Sequence, residues 1–474
     1  MSAKAALLID FGSTFTKVSA AGLQSGEIIG TAAAYTTVET DVGYGLATAL
    51  AELRRQTGNI NFATRLACSS AAGGLRMIAS GLVPALTAEA AKVAALGAGA
   101  KVVKVYSYEL TGEDVDEIAE ARPDIFLLTG GTDGGNRECV LHNAEMLAGC
   151  KAEFPILIAG NRSCAAQCEK LLAGREVYRC ENVLPALGKL NVEPAGQRIR
   201  ELFLRKIIYA KGLSREAELL SGIMMPTPAA VLCGVELLAK GTDRQPGLGE
   251  LVAVDLGGAT TDVYSMAEGA PTRENTVIKG LPEPWAKRTV EGDIGMRYTA
   301  AGVLDAVGSQ RLAKLSGLEQ DAVEELVRQI ERNPATLPDT PQQSALDFAL
   351  ASAAVEVATA RHAGIIEEHY TPTGQVWLQT GKDLTRVKTL IAIGGALIRG
   401  KDAAKIAAHA LHDPAAPQSL RPKSAQILVD RRYILSAAGL LAGEHPEEAL
   451  AIMKKEIVGD AHPGVPAIYI HPPI

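Results

Sequence analysis

Apolar positions along the chain fall into short runs broken by glycine-rich turns, and the period of the pattern changes several times. Leu7-Leu8-Ile9 reads as a strand that ends on Asp10, followed by a Gly/Ser/Thr turn and a second strand through Val18. A third run at 27–34 completes an antiparallel meander. Leu46, Leu50 and Leu53 have helical spacing within 42–57, and 64–69 reads as a buried strand. A small-residue turn, Ser69-Ser70-Ala71-Ala72-Gly73-Gly74-Leu75-Arg76-Met77, leads into another strand. Thr87 reads as the N-cap of an alanine-rich helix to about residue 96. Strands at 101–107, 124–128 and 155–159 then alternate with helices at 113–121, 137–148 and 163–172, which predicts parallel pairing. Residues 195–220 read as a charged helix. A helix from 225 to 239 follows, with Pro228 suited to its first turn. Residues 240–250 are rich in Gly and Pro and read as a hinge.

The second half restates the first. Ala253-Val254-Asp255-Leu256-Gly257-Gly258-Ala259-Thr260-Thr261-Asp262-Val263 has the layout of the opening hairpin. Asp10 overlays Asp255, Gly12 overlays Gly257, Thr16 overlays Thr261, and Lys17 faces Asp262. A third strand is expected near 274–278, a polar turn at Glu291-Gly292-Asp293-Ile294-Gly295-Met296-Arg297, and helices at 298–307, 310–332 and 344–369. Lys388-Thr389-Leu390-Ile391-Ala392-Ile393-Gly394-Gly395 is a buried strand running into Gly-Gly. It reads as the echo of the strand before Gly130-Gly131. A strand at 426–429 and a small-residue helix at 434–442 precede a proline-punctuated tail.

At 474 residues the chain exceeds what one core supports, and two domains are expected, 1–245 and 246–474, the second with a helical insertion at about 283–370. Net charge is −7, which argues against non-specific binding to nucleic acid or to an anionic membrane. No apolar run approaches the roughly 18 residues of a membrane span. The apolar stretch after Lys4 stops at Ile9, too short for a secretory signal, so a cytoplasmic protein is expected. The 7 cysteines are scattered and odd in number, as in a reduced compartment.

Two turns rich in Gly, Ser and Thr, each led by an aspartate at a strand end, let backbone N–H groups and hydroxyls converge on an anion. Facing across a cleft, they would clamp a polyphosphate through Gly12, Ser13, Thr14, Gly257, Gly258, Thr260 and Thr261. Asp10 and Asp255 would hold Mg²⁺ through water, because that ion prefers few direct protein ligands. Lys17 would add a point charge for the phosphates. Asp133, in a Gly-rich turn after a parallel strand, reads either as the group that orients an attacking water or as an Asx-turn residue; Asp255 could orient the water through the metal instead. Glu291 and Asp293 read as ligands of Mg²⁺ or ribose, or as helix caps. Arg76 and Arg297 read first as partners of acids. His409 and His412 have no third ligand nearby, and Cys164 and Cys168 read as buried thiols.

The two aspartate-led turns resemble the phosphate 1 and phosphate 2 loops of the actin, sugar-kinase and Hsp70 superfamily. That resemblance implies an α/β fold of two duplicated ribonuclease H-like (actin-like ATPase) domains around a nucleotide cleft. It also implies that Gly394 and Gly395 form the adenosine motif, and that the helices at 225–231 and 436–442 are the connecting helices. A narrower resemblance rests on Ser69 to Met77, Leu128-Thr129-Gly130-Gly131-Thr132-Asp133-Gly134-Gly135-Asn136, Met225-Pro226-Thr227-Pro228 and Glu291 to Arg297. Together these are similar to the glutamate mutase MutL proteins, which are unrelated to the mismatch-repair protein of the same name. The family is associated with adenosylcobalamin-dependent mutases and aminomutases. The resemblance therefore implies an ATP- and Mg²⁺-dependent chaperone or reactivating factor with slow hydrolysis and a mutase subunit as its partner. Two other readings fit the superfamily: a small-molecule kinase, and a nucleotide-gated assembly protein.

Overall fold

The computed structural model describes residues 5–12, 15–36, 42–70, 75–210, 224–334, 337–372, 374–395, 397, 402–458 and 469–470. The chain forms two compact units. Unit 1 comprises Met1–Cys233, Gly280–Pro282 and Gly439–Glu448. Unit 2 comprises Gly234–Lys279, Glu283–Ala438 and Ala449–Ile474.

Unit 1 opens with the meander β1 (Ala5–Phe11), β2 (Phe15–Gly22) and β3 (Glu27–Tyr35), then α1 (Val42–Thr57) and β4 (Phe62–Ser69). β4 pairs parallel to β1, and β10 (Met224–Pro226) pairs parallel to β4, giving the order β10-β4-β1-β2-β3. Leu7, Ile9 and Phe11 lie on one side of β1 and pack with Leu46, Ala49 and Leu53 of α1, the period-2 face of a strand meeting the period-3.6 face of a helix.

A second sheet occupies the chain between β4 and β10. It contains β5 (Arg76–Gly81), β6 (Lys101–Ser107), β7 (Ile125–Leu128), β8 (Ile156–Ile158) and β9 (Val177–Arg179), all parallel, in the order β6-β5-β7-β8-β9. Alternate residues of its strands face opposite layers. Met77, Ala79, Ile125 and Leu127 share a core with α2 (Glu89–Gly97) and α6 (Glu193–Ala210). Ile78, Phe126, Leu128 and Ile156 share another with α3 (Gly112–Ala121), α4 (Glu138–Ala148) and α5 (Ala165–Leu171). Burial on both faces is why these strands read as continuous apolar runs. The result is a complete doubly wound module with a 2-1-3-4-5 strand order. Its α2 and α6 face belongs to the same core as β1 and α1.

The chain leaves unit 1 within α7 (Thr227–Lys240). In unit 2, β11 (Leu251–Leu256), β12 (Thr261–Met266) and β14 (Ala286–Glu291) form an antiparallel meander. β17 (Thr389–Ile393) pairs parallel to β11 and β18 (Ala425–Val429) parallel to β17, with β19 (Tyr469–Ile470) at the edge. The first five strands repeat the order and directions of β10-β4-β1-β2-β3, so the α/β fold is a duplicated ribonuclease H-like one. The intervening helices are α8 (Ala300–Val307), α9 (Ser309–Ser316), α10 (Gln320–Arg332) and α11 (Pro341–His362). Thr340 caps α11 through the backbone N–H of Gln343, and alanines along the helix allow close packing on the sheet. α12 (Ala403–Ala407) and α13 (Ile434–Leu441) flank β18, and the chain re-enters unit 1 within α13.

Several expectations change. The third meander strand of unit 2 is β14; the run near 274–278 gives β13 (Thr276–Lys279), mostly exposed, which joins β16 (Gly374–Thr380) and β15 (Ile365–Thr371) in a separate three-stranded sheet. The helix expected through 369 stops at His362, because Ile365-Ile366 belongs to a β-branched strand that pairs with β16. Residues 310–332 form two helices, separated at Gly317 (φ +72). Thr87 does not cap α2: its hydroxyl accepts the N–H groups of Leu82 and Val83 at 2.7 and 3.0 Å. The Gly130/Gly394 echo is not a product of the duplication. β7 lies in the inserted parallel sheet, whereas β17 neighbours β11, and the counterpart of β17 in unit 1 is β4.

Candidate functional site

Each unit carries one of the aspartate-led hairpins at the same strand ends. In unit 1, Gly12 N donates to Phe15 O at 3.1 Å; in unit 2, Gly257 N donates to Thr260 O at 2.9 Å. A Cβ on Gly12 would stand 2.6 Å from Phe15 O, which explains the glycine. The next threonines, Thr16 and Thr261, are both fully buried. Thr16 Oγ1 lies 3.1 Å from Thr36 Oγ1, and Thr36 Oγ1 donates to Gly12 O at 2.9 Å. Thr261 Oγ1 donates to Ile294 O at 2.8 Å. Both hydroxyls therefore brace their turns. Ser13 and Thr14 lie outside the described residues.

Strand register sets what surrounds each aspartate. Asp10 stands directly opposite Lys17 on β2 and Cys68 on β4. Its carboxylate is almost wholly buried. Lys17 Nζ lies 3.8 Å from Oδ2, Thr227 Oγ1 donates to Oδ1 at 2.7 Å, and Cys68 Sγ donates to Oδ1 at 3.5 Å. Burial, then the neighbouring Asp10 charge, pushes the Cys68 thiol pKa well up, so the sulfur keeps the proton it donates. Thr227 is the first residue of α7, brought to Asp10 by the pairing of β10 with β4.

In unit 2, half-buried Asp255 stands opposite Asp262. Two carboxylates in a non-cationic pair would repel. Arg288 of β14 answers Asp262, with Nε donating at 2.7 Å and Nη2 at 2.6 Å from Oδ1, in a buried ion pair. Thr260 Oγ1 also donates to Asp262 Oδ2 at 3.3 Å. The polar stretch 291–297 wraps this turn: Met296 N donates to Gly257 O at 3.1 Å, and Arg297 N and Tyr298 N donate to Gly258 O at 2.8 and 2.9 Å. Gly295 must be small, since a Cβ there would stand 2.6 Å from the Ala259 carbonyl carbon. Gly258 itself is open, its nearest side-chain neighbour being the Tyr298 ring at 3.7 Å.

Gly394 and Gly395 reach the same edge of the sheet as Asp255, which pairs with Ile393. Gly394 has φ +105, and a Cβ would lie 2.2 Å from Leu256 O; one on Gly395 would meet Tyr433 Oη at 2.9 Å.

A family model described as MutL protein matches residues 6–457. The chain belongs to the MutL protein family. A similar member is Protein MutL of Clostridium tetanomorphum, 47% identical over 456 residues that cover 95% of this chain and 99% of that protein. Remote likenesses exist among solved structures. Xylulose kinase from Bifidobacterium adolescentis has 11% identity and a TM-score of 0.33, with 96% of each chain covered. Gluconate kinase from Lactobacillus acidophilus has 10% identity and a TM-score of 0.35, with 97% of this chain and 93% of that one covered. The MutL match spans both hairpins, the parallel-sheet module and Gly394-Gly395.

Other expected residues of this MutL-family chain lie elsewhere or are already engaged. Asp133 belongs to the parallel module: its Oδ1 accepts from Arg162 N and Asn182 Nδ2, both at 3.0 Å, which ties its turn to the loops after β8 and β9. Glu291 pairs with Arg361 at 2.5 Å, and Arg297 with Asp347 at 2.5 Å. His409 faces Glu356 at 3.8 Å, and the His412 ring lies 3.1 Å from Ser419 O. Among the described residues, no group of three His, Cys, Asp or Glu could hold a metal, and no helix is long and apolar enough to cross a membrane. Sequence reasoning missed Cys68, Thr227 and Arg288 as neighbours of the two hairpins. Only Thr227 carried a signal, in Met225-Pro226-Thr227-Pro228.

Proposed function

We propose that this MutL-family protein binds and slowly hydrolyses ATP, and uses the nucleotide to act as a chaperone or reactivating factor for an adenosylcobalamin-dependent mutase (glutamate mutase or an aminomutase). The observation that carries the reading is the repetition, in two separately folded units, of an aspartate at the same strand end followed by a turn closed by the same backbone hydrogen bond. One such turn is an ordinary hairpin; two that agree in register and closure are a paired device. In this reading 1–245 and 246–474 supply the two halves, and hinge closure couples nucleotide to partner.

The donor set suits Mg²⁺. Each hairpin offers one carboxylate at the end of its first strand, Asp10 or Asp255; Asp262, opposite Asp255, is already held by Arg288, and among the described residues no group of three acidic or imidazole ligands forms. That fits an ion that keeps several waters and takes its other ligands from phosphate. When bound, it would neutralise phosphate charge. Asp10 and Asp255 would hold its water shell, Lys17 would face the phosphates, Gly258 would leave room for one, and Gly394-Gly395 would let adenosine approach the backbone. Thr16, Thr261 and the 294–299 loop would keep the turns in shape. The soluble, cytoplasmic setting expected from composition suits such a partner.

Calorimetry with ATP and Mg²⁺ tests the nucleotide half: saturable binding in the native protein, lost in Asp10→Ala and Asp255→Ala. Unchanged binding in either variant sinks it. The partner half is tested by adding the protein, ATP and Mg²⁺ to an oxygen-inactivated cobalamin mutase. Recovery that needs only free cobalamin would discard the chaperone role.

A further inference from the structure

Gly258, in the turn of the second hairpin, is open on the side where a side chain would stand, and two residues flank that opening. The Tyr298 ring places Cδ2 3.7 Å and Cε2 3.8 Å from the position of a Cβ, and the Arg297 Cβ lies 3.8 Å from it. Arg297 is already committed: its guanidinium donates to both carboxylate oxygens of Asp347, on α11, at 3.0 and 2.5 Å. Tyr298 is not. It is 55% exposed, and among the described residues its hydroxyl has no hydrogen-bond partner. We propose that Tyr298 is a phosphate-binding residue, whose hydroxyl donates a hydrogen bond to a phosphate oxygen of a nucleotide seated over Gly258. This rests on the nucleotide-binding reading of the same turn.

The main chain beneath this side chain is fixed to the turn it would serve. Met296 N donates to Gly257 O, Arg297 N and Tyr298 N donate to Gly258 O, and Thr299 Oγ1 donates to Ala259 O at 2.8 Å. These bonds engage three consecutive carbonyls of the turn. Its N–H groups at Gly258, Ala259 and Thr260 have no acceptor among the described residues. What the turn offers a ligand is therefore a set of donors, and an anion fits that offer. A phenol adds one more donor and carries no charge of its own, and its bond to an ionised oxygen is of the stronger, charge-assisted kind. With the Arg297 charge spent on Asp347, Tyr298 is the side chain of this loop left to make such a bond. A ring held by its main chain while its hydroxyl stays in solvent is pre-positioned for a ligand and contributes little to the core.

Calorimetry on the full chain with Mg²⁺ tests the assignment, with ATP and adenosine as separate probes. Tyr298→Phe should weaken ATP binding about tenfold, equal to roughly 1.4 kcal/mol, and leave adenosine binding unchanged, because adenosine has no phosphate to lose a contact. Tyr298→Leu should weaken ATP at least as much. The urea midpoint of both variants should stay at the native value, as expected for an exposed side chain. The role of Tyr298 alone is overturned if the native protein binds ATP and Tyr298→Phe binds it equally well, if the variant loses adenosine by the same factor, or if its midpoint falls along with its affinity. A native protein that binds no ATP would overturn the nucleotide reading, and this role with it.

Discussion

Among the described residues, side chains from three different elements meet Asp10, and the hydroxyl of Thr227 comes within 2.7 Å. A hydrogen bond to a charged acceptor contributes about 1.5–3 kcal/mol. Thr227→Val should therefore weaken ATP binding about tenfold or more in calorimetry, whereas Thr227→Ser should stay near the native value. Equal loss in both would mean that the methyl group, not the hydroxyl, matters. A second single-residue effect concerns Lys382, fully buried, whose ammonium nitrogen donates to Trp285 O at 2.7 Å. Burial, then the charge of Lys287, lowers its pKa from the usual 10.5 to about 7. Below about pH 7 the folded protein must hold a buried charge. Between about 7 and 10.5 the unfolded chain binds a proton that the folded one does not, so stability rises with pH across that window. Urea melts near pH 6 and about pH 9 should show this rise, and Lys382→Met should flatten it. Asp10 and Asp255 were legible in the sequence because the chain states them twice. Thr227 showed only as part of Met225-Pro226-Thr227-Pro228, and Cys68 and Lys382 not at all, since their partners lie far off in the sequence and are brought to them by the tertiary fold.

At the scale of elements, pairing β14 rather than β13 with β12 has a consequence for charge. The sequence at 274–278 has strand character, yet its residues are largely exposed in a small separate sheet. The place beside β12 goes to Ala286–Glu291, which brings Arg288 to Asp262. Once Asp262 is buried there, removing its cation alone would leave an uncompensated buried charge. Arg288→Met should destabilise unit 2 by about 3–5 kcal/mol, and adding Asp262→Asn should recover much of that loss. Denaturant unfolding of both variants checks it; equal stability of the single and double mutants would contradict a buried pair. The alternation through 101–172 announced a parallel sheet, whereas the capping box of Thr340 and Gln343 starts α11 at Pro341, ahead of the expected 344.

For the whole molecule, the duplication could be read from two matched hairpins, and the family from four motifs. The insertion could not. The Gly-Gly turn after β7 imitates the one after β17, so a sequence comparison assigns both to one repeat, whereas pairing assigns them to different sheets. The inserted module and the first sheet share a core through Met77, Leu127, Ala91 and Leu53. They should accordingly open together. Hydrogen exchange followed by mass spectrometry is expected to show β1, β4, β5 and β7 losing protection in one cooperative step. Early exchange confined to 76–183 would show the module to be an independent folding unit.

The place where that module enters has a consequence for how such chains diversify. It leaves after β4 and returns at β10, and the donors bordering this excursion, Cys68 and Thr227, both bond to Oδ1 of Asp10. Any graft at this point, long or short, is moored at both ends to the same oxygen atom. A change within the module would leave the carboxylate's partners in place only where it keeps both moorings and the core that the module shares with the first sheet. Across relatives, the length of the graft should vary more freely than the residues at its two ends.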